Sequence, residues 1–165
     1  MGGRARPAAG VVSLGGLLVR PAESRDLDAV AALELACFKS DPWPRESFES
    51  FIGRPGVTFV IGEATPGEGS LGAYAVLIRA ADEAELLNLA VAGGSRRLGL
   101  GSALLRYVLD SAAEQGVRTV YLEVRASNEA ARRLYESHGF EEVGRRRSYY
   151  QRPVEDALIL QRVEP

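Results

Sequence analysis

The chain has 165 residues, of which 46% are apolar, and it carries a formal net charge of −2 with a pI near 5.6. This length suits a single domain with one hydrophobic core. The small negative charge gives no positive field that would hold a polyanion, which disfavours stable nucleic-acid binding. A peptide or a small cation is the more natural partner.

Cys37 is the only cysteine, so no internal disulfide can form, and no Cys/His cluster has metal-ligand spacing. We therefore predict no metal site and a reducing, cytoplasmic location. No run of 18 apolar residues occurs, so no membrane-spanning segment is expected. Residues 1–16 are rich in Gly, Ala and Arg without periodicity, which predicts a disordered leader ahead of one domain over residues 17–165.

The first half of the chain predicts a strand, two helices and a hairpin. Residues 17–22 form a short apolar strand that stops at Pro21, and Ser24 is the predicted N-cap of the next helix. Apolar side chains at helical spacing mark the inward face of this helix: Leu27, Val30, Leu33, Ala36 and Cys37. A short helix is expected over residues 44–52. VTFVIGEA and LGAYAVLIRA flank a turn-rich segment and predict an antiparallel hairpin.

The second half predicts three more strands and two more helices after the strand ELLNLAV. A helix follows residue 98 and ends at Gly116, and in VRTVYLEV apolar residues alternate with others, so this strand has two differently used faces. Ser127 or Asn128 caps a last helix that ends at Gly139, and EEVGRRRSYY and DALILQRV close the sheet. About seven strands and four helices in mixed order indicate an α/β or α+β sheet covered by helices.

A glycine-rich loop, RRLGLG at residues 96–101, follows a strand and opens a helix. Unpaired backbone N–H groups and the helix dipole favour an anion there, and glycines let the backbone approach it. A Walker loop would need G-K-[ST], and a dinucleotide fingerprint would need a third glycine near Ala103 or Leu104. The alternative is a glycine-relieved turn with solvated arginines, and the local sequence leaves both interpretations open.

Two residues near that loop are candidates for acid–base chemistry. Glu123 lies in the middle of an otherwise apolar strand, and Tyr135 lies in the middle of the following helix. Taken alone, Glu123 is better explained by a solvated strand face and Tyr135 by core packing. Considered together, the strand, the tight loop and the helix bring both groups to one end of the same sheet.

Residues 42–157 resemble the GNAT acetyltransferase superfamily, and within it the RimI-like enzymes that acetylate the N-terminal amine of a ribosomal protein. The matching stretches are DPWPRESF, NLAV, RRLGLG, YLEVRASN, AARRLYESHGF, the doubled Tyr149-Tyr150 and EDALIL. RxxGxG alone indicates acetyl-CoA binding, whereas LEVRASN followed by LYE and GF points to protein N-terminal acetylation. The resemblance implies a mixed, mostly antiparallel sheet of seven strands, splayed into a V and flanked by four helices.

The resemblance also implies roles for individual residues. Glu123 would be the general base and Tyr135 the general acid. Acetyl-CoA would be held by strand backbone, loop and helix cap: Leu89, Ala90, Val91, Arg96, Arg97, Leu98, Gly99, Leu100, Gly101, Ser102 and Asn128. Asn128 serves equally well as a helix cap alone. The chain departs from the family at residues 92–95, where AGGS replaces the usual Asp-Pro and aromatic, and at Leu98, which predicts looser cofactor binding.

Chemical need agrees with these placements. An amine attacks a thioester only when neutral, so a carboxylate must take its proton directly or through water. A strand N–H near Ala90 or Val91 can meet the charge that develops on the carbonyl oxygen. Aromatic residues flanking the open end of a sheet can clamp the first residue of a peptide, which makes Trp43, Tyr149 and Tyr150 the candidates for the amine-substrate side.

We therefore predict an acetyl-CoA-dependent acyltransferase that acetylates a protein N-terminus, with a ribosomal protein as the expected acceptor. One alternative keeps the fold and changes the acceptor to a lysine side chain, a polyamine or another small-molecule amine. The other is a CoA-binding module without catalysis, which would need neither Glu123 nor Tyr135. His138 is predicted to be a surface residue at a helix end, and a monomer or weak dimer is expected.

Overall fold

In the computed structural model of the chain, residues 11–14, 16–64, 71–95 and 99–165 are described. Within these ranges eight strands form one sheet: β1 (Val12–Leu14), β2 (Leu17–Pro21), β3 (Val57–Glu63), β4 (Leu71–Ala80), β5 (Glu83–Val91), β6 (Thr119–Arg125), β7 (Glu141–Gln151) and β8 (Val154–Val163). Four helices accompany it: α1 (Leu27–Cys37), α2 (Arg45–Glu49), α3 (Leu100–Glu114) and α4 (Glu129–Ser137). None of these helices is long and apolar enough to cross a membrane.

The strand order across the sheet is β1-β2-β3-β4-β5-β6-β8-β7. Strands β5 and β6 run parallel, and every other neighbouring pair runs antiparallel. The predicted α/β class and the mixed, mostly antiparallel sheet are therefore confirmed. The predicted hairpin is β3 and β4, and the closing pair is β7 and β8.

The eighth strand is β1, which lies in the segment predicted to be a disordered leader. Val12 pairs with Val19 and Leu14 with Leu17, around a turn in which Gly16 has a φ of 89°. Three residues are too short for alternation to be recognised among glycines, which explains why the sequence predicted seven strands. Residues 1–10 and 15 of the predicted leader lie outside the described residues.

Each face of the sheet carries its own core. Buried residues of α3 pack with Tyr135 of α4 against one face, and α1 and α2 pack against the other. Strand β6 shows how alternation serves this arrangement, because Val120, Leu122 and Val124 are buried on the α3 face. Tyr121 and Glu123 consequently point to the face that α1 and α2 share.

The start of α1 differs from the prediction. Residues Ser24–Asp26 form a short 3₁₀ helix, and the Asp26 carboxylate accepts the Glu23 backbone N–H at 2.7 Å. Ser24 is therefore not the N-cap, because an acidic residue three positions after Glu23 closes this turn instead. The short helix predicted over residues 44–52 covers only Arg45–Glu49. The predicted ends of α3 and α4 hold, since Gly116 and Gly139 follow these helices with φ values of 88° and 84°.

Strands β5 and β6 separate part of the way along their length. Their first pair joins Glu83 to Thr119 and their last joins Leu86 to Leu122. Beyond that point β5 continues only beside β4, and β6 only beside β8. A register shift opposite Val76 leaves Leu87 as an extra residue in β5 where the two strands part. The sheet therefore opens into a V-shaped gap between the end of β5 and the end of β6.

Candidate active site

Glu123 lies on β6, one residue past the point where the strands part. Its side chain is 22% exposed, and its carboxylate forms an ion pair with Arg146 of β7 at 2.7 Å between Oε1 and Nε. The strand fixes this orientation, because the neighbours Leu122 and Val124 are held in the α3 core. The predicted base thus faces away from α3 and carries a guanidinium partner.

A groove of about 340 Å³ runs along the sheet beside Glu123. It is lined by side chains from five strands, among them Ile78, Glu85, Tyr121, Glu123, Arg146 and Ile159. Burial is the main cause that raises the pKa of Glu85, and the charge of Glu123 raises it further, although Arg146 opposes this shift. The groove is therefore a place where negative charge is in excess over positive charge.

Tyr135 lies on α4, on the other face of the sheet. The residue is 8% exposed, and its ring meets Phe140 edge-on with centroids 5.8 Å apart. Burial, and next the charge of Tyr150, raises the pKa of Tyr135 to about 12. The sequence-predicted acid and base therefore approach from opposite faces of β6, and the acid holds its proton at neutral pH.

Tyr150 of β7 is an electrostatic neighbour of both groups. Burial raises its pKa, the charge of Glu123 raises it further, and Arg125 lowers it. The same Tyr150 contributes to the raised pKa of Tyr135. Tyr150 is therefore within electrostatic range of both Glu123 and Tyr135, which lie on opposite faces of the sheet.

Arg125 ties the loops around this region together. Its guanidinium forms ion pairs with Asp41, in the segment between α1 and α2, and with Glu155 of β8. It also lies 4.0 Å from the ring centroid of Tyr150. Arg125 was not among the predicted site residues, although its place two residues after Glu123 puts both side chains on the same face of the strand.

The three predicted acceptor-side aromatics occupy two positions. Trp43 packs on Phe48 and Phe51, with ring centroids 5.5 and 6.0 Å apart, and is partly buried. Tyr149 and Tyr150 stack edge-on at 5.1 Å. No ring contact joins Trp43 to either tyrosine among the described residues, and the two groups are connected through Asp41 and Arg125.

The backbone of residues 89–91 supplies the predicted cofactor strand. Ala92 N–H donates to Gly72 on β4 at 2.8 Å, and the register places Tyr74 opposite Ala90. Because bonded and non-bonded pairs alternate in an antiparallel ladder, Ala90 N–H points at β4, while Val91 N–H points away from it. Of the two predicted donors to a carbonyl oxygen, only Val91 is turned toward the gap.

The start of α3 suits an anion. Gly99 has a φ of 73°, and the first intrahelical bond runs from Ala103 N–H to Gly99 at 3.0 Å. The first turn, with Leu100, Gly101 and Ser102, contains no acidic residue, and no side chain of Gly99 can cap it. Arg96, Arg97 and Leu98 of the predicted phosphate loop lie outside the described residues.

The start of α4 is closed by a side chain. Asn128 Oδ1 accepts the Ala131 N–H at 3.2 Å, and Glu129 lies in the first turn. Asn128 is therefore the N-cap, one of the two functions that the sequence left open. Its predicted contact with the cofactor stays a prediction.

His138 is more than a surface residue at a helix end. It is partly buried, and its Nε2 lies 2.8 Å from Oγ of Ser102 at the start of α3. Burial, and next the charges of Arg106 and Arg162, lowers the pKa of His138. The imidazole is thus neutral at neutral pH and joins α4 to the predicted phosphate loop.

Comparisons with known proteins show the family to which the chain belongs. Residues 27–140 match the Acetyltransferase (GNAT) family. The chain is 40% identical over 140 residues to the ribosomal protein bS18-alanine N-acetyltransferase of Escherichia coli K12, which covers 84% of this chain and 91% of that protein. It is 37% identical over 142 residues to the N-alpha-acetyltransferase RimI of Mycobacterium tuberculosis, covering 83% of this chain and 86% of that one.

Solved structures show the same fold. The crystal structure of the ribosomal-protein-S18-alanine N-acetyltransferase from Escherichia coli aligns with a TM-score of 0.79 at 37% identity, over 88% of this chain and 92% of that chain. A ribosomal-protein-alanine N-acetyltransferase from Brucella melitensis aligns with a TM-score of 0.73 at 26% identity, over 90% of this chain and 100% of that chain. The chain belongs to the GNAT family and is an acetyl-CoA-dependent N-acetyltransferase, as the sequence predicted.

Proposed function

We propose that this enzyme acetylates the α-amino group at the N-terminus of a protein, and that a ribosomal protein is the acceptor. The observation that carries this proposal is the similarity, over most of both chains, to a ribosomal protein bS18-alanine N-acetyltransferase and to an N-alpha-acetyltransferase. The groove beside Glu123 adds support, because its excess of carboxylates favours a cationic amine over an anionic acceptor.

The residues around the gap fit acetyl-CoA, which supplies the acetyl group as an activated thioester. The uncapped start of α3 offers N–H groups to the pyrophosphate, and residues 89–91 of β5 offer backbone along the V-shaped gap. Arg96 and Arg97 would add positive charge to the same loop, and Asn128 would add an amide. Leu89, Leu98, Gly99 and Leu100 complete the proposed cofactor contacts.

Glu123 acts as the general base in this proposal. The α-ammonium group of a protein has a pKa of about 7.7 to 8.0. Most of these groups are therefore protonated at neutral pH and must lose a proton before attack. An arriving ammonium competes with the Arg146 guanidinium for the Glu123 carboxylate, since both are cations. Arg146 is 56% exposed on its side chain and has room to leave. Glu123 then takes the proton directly or through a water.

Val91 N–H stabilises the negative charge that develops on the carbonyl oxygen during attack. A donor of this kind, fixed before the reaction, contributes roughly 3 to 4 kcal/mol to transition-state stabilisation. Val91 is favoured over Ala90 because the ladder with β4 turns the Ala90 N–H the other way.

Tyr135 serves the departing sulfur. As the amine nitrogen bonds to the acetyl carbon and the C–S bond breaks, the sulfur gains negative charge. The Tyr135 O–H, whose pKa is about 12, is protonated and able to donate to that sulfur. Because a thiol has a pKa of about 8.5, the phenol acts mainly by donating a hydrogen bond to the thiolate. No covalent enzyme intermediate is needed, so Cys37 has no part in this step.

The acceptor binds on the face of the sheet that Glu123 shares with α1 and α2. Tyr149 and Tyr150 line the β7 side of this region, and Trp43 lies in the segment that Arg125 holds against β6. Aromatic walls at the end of a narrow site suit a single small first residue of a peptide.

The test is acetylation of synthetic peptides followed by mass spectrometry. Peptides with different first residues, alanine among them, are compared with the same peptides blocked at the N-terminus and containing one lysine. We expect modification only of free N-termini. Turnover of the blocked peptides, or of a small amine while every free N-terminus is ignored, would instead assign the lysine or small-molecule acceptor.

The base is tested with Glu123→Gln, with Glu85→Gln as a matched control from the same groove. We expect the Glu123 variant to bind acetyl-CoA normally and to lose roughly a hundredfold or more in turnover at neutral pH, which is the usual contribution of general base catalysis. The Glu85 variant should keep a kcat near the wild-type value, because losing this carboxylate changes only the charge of the groove and therefore the peptide KM. Undiminished turnover in Glu123→Gln would remove Glu123 from the base role.

A further inference from the structure

Glu34 is a buried carboxyl group that the proposed reaction does not use. It lies on α1 and is 1% exposed. Leu27, Val30 and Cys37 share its helix face, a face otherwise occupied by apolar side chains. Burying a carboxyl group costs free energy unless hydrogen bonds compensate, so its presence at a core-facing position needs an explanation.

Three donors from three different elements meet this carboxyl group. Trp43 backbone N–H donates to Oε1 at 2.9 Å, and Asn88 Nδ2 donates to Oε2 at 3.0 Å. The Tyr74 hydroxyl also donates to Oε2. Burial, and next the charge of Glu34, raises the pKa of Tyr74, so this phenol keeps the proton that it donates. Glu34 thus joins the segment after α1 to both β4 and β5.

The partners lie on the two sides of the proposed reaction. Trp43 belongs to the acceptor-side segment, which Asp41 and Arg125 hold against β6. Asn88 stands on β5 next to the extra residue Leu87, immediately before the residues proposed to line the acetyl-CoA site. An apolar side chain at position 34 would fill the same space without directional bonds, and it would leave three donors unpaired.

We propose that Glu34 is a positioning residue, which sets the acceptor-side segment containing Trp43 at a fixed distance from the thioester-binding end of β5. This inference rests on the proposed function, because it concerns where the acceptor amine stands relative to the acetyl group. Among the described residues Glu34 forms no ion pair, so its hydrogen bonds alone define the geometry. Reacting groups displaced by about 1 Å can lose on the order of a hundredfold in rate.

Glu34→Gln tests the proposal with little change in volume. The amide offers one acceptor oxygen and an NH₂ group. At least one of the three groups that donate to Glu34 would therefore face the NH₂ group, which is itself a donor. We expect the peptide KM to rise about tenfold or more while the Kd for acetyl-CoA changes less than about twofold. Trp43 is the only tryptophan, so its fluorescence reports directly on the acceptor-side segment. A shifted emission maximum is expected in the absence of any substrate.

Two variants separate positioning from stability. Tyr74→Phe removes only the donor from β4 and leaves the bonds to Trp43 and Asn88, so we expect a lower melting temperature with an unchanged peptide KM. Asn88→Leu keeps the branched shape of the side chain, although leucine is larger, and removes the link to β5. We expect it to reproduce the KM effect and to stand in for Glu34→Gln should that variant not fold. Asp28→Asn, on the exposed side of α1, is the neutral control.

A folded Glu34→Gln or Asn88→Leu protein with wild-type peptide KM and wild-type Trp43 emission would overturn the proposal. Failure of the proposed function gives a different result, in which wild-type enzyme acetylates no free N-terminus. Trp43 emission still tests the link to Glu34 in that case, and the KM comparison is then made with whichever amine the wild-type enzyme accepts.

Discussion

The hydroxyl of Tyr135 stays protonated throughout the physiological pH range. Burial beside Phe140 is the main cause, and the charge of Tyr150 adds to it, giving a pKa of about 12. Loss of activity at mildly alkaline pH would therefore have another origin, because Tyr135 loses its proton only near the top of the accessible range. Tyr135 is therefore a hydrogen-bond donor whose protonation state does not have to change before the reaction begins.

Tyr135→Phe isolates this donor. The phenyl ring keeps the contact with Phe140, so we expect the free energy of unfolding to change by less than about 1 kcal/mol. Turnover should fall by roughly a hundredfold, the usual contribution of a general acid. Steady-state kinetics beside thermal unfolding make the measurement, with Tyr121→Phe in the groove as the matched control. Equal kcat values for wild type and Tyr135→Phe would exclude the donor role.

Glu123 and Tyr135 were predicted as base and acid because they stand in the motifs YLEVR and RLYES. The structure places Glu123 on β6 and Tyr135 on α4 in the core on the opposite face of the sheet, and their catalytic roles stay predictions. Their neighbours could not be predicted, because the Arg146 partner of Glu123 depends on the register of β7 against β8, which contains two irregularities. Glu34 offered a signal that was overlooked, a carboxylate in phase with Leu27 and Val30.

Helices α3 and α4 both start close to the gap, but their N-termini are capped differently. A side chain caps α4 at Asn128, whereas α3 begins after a glycine and has no acidic residue in its first turn. An anion therefore gains more from the start of α3 than from that of α4. The difference supports the proposed position of the cofactor phosphates at the start of α3, and it leaves Asn128 to be tested for a second contact.

Asn128 can be tested by separating its two functions. Asn128→Ala removes the cap and should lower the free energy of unfolding by about 1 kcal/mol. Asn128→Asp keeps an acceptor for Ala131 N–H and removes the amide donor, so we expect near wild-type stability with an acetyl-CoA Kd about fivefold higher. Isothermal titration with both variants provides the measurement. Unchanged affinity in Asn128→Asp would show that the residue is a cap alone.

The two glycines at the start of α3 differ in how strongly the structure requires a glycine at their positions. Gly99 has a φ of 73°, whereas a Cβ on Gly101 would lie in ordinary contact, 3.4 Å from Val91 Cγ2. We expect Gly99→Ala to cost about 1 kcal/mol of stability, because a left-handed backbone disfavours a side chain. Gly101→Ala should cost nothing, because alanine favours the helix. Urea denaturation compares them, and equal losses would contradict this account.

Element boundaries show how far local signals reach. The ends of α3 and α4 were predictable because a glycine follows each helix. The beginning of α1 was not predictable. Ser24 is a residue type that commonly caps helices, but the Asp26 carboxylate accepts the Glu23 N–H instead. Strand β1 escaped prediction for a third reason, since it exists only by pairing with β2.

One buried ionic network holds the first strands of the sheet to α1. The Arg20 guanidinium donates to both carboxylate oxygens of Asp26, at 2.7 and 2.8 Å, and to Glu63 at 3.0 Å. Burial opposes ionisation of Asp26, but the bonds from Arg20 and from Glu23 N–H outweigh it and lower the pKa of Asp26. A lowered pKa means that this stabilisation is present above the unfolded value and is lost as the pH falls below it.

Arg20→Met should show this pH dependence in the whole molecule. We expect a loss of about 2 to 4 kcal/mol in the free energy of unfolding at pH 7, because two partly buried carboxylates lose their partner. The loss should shrink below about pH 4, where carboxylates gain protons. Urea unfolding at the two pH values makes the comparison, with exposed Arg25→Met as the control. The same loss at both values would argue against an electrostatic origin.

The general architecture was predictable because periodicity and motifs agreed. The order of strands and helices from residue 17 onward followed from periodicity and turn residues, and the mixed sheet and the family followed from the motifs in residues 42–157. The side-chain contacts that join distant strands and loops were not predictable. Ion pairs such as Arg125 with Asp41 link residues 84 positions apart, and no local pattern encodes such a distance.

The pairing of β5 with β6 stops at Leu86 and Leu122, with Tyr135 packed on one face of the sheet and Glu123 on the other. In the proposed mechanism, the acetyl donor and the acceptor would therefore approach the gap from opposite faces and be present together. The acetyl group would cross once, without being stored on a side chain in between, and the two products would leave by different faces.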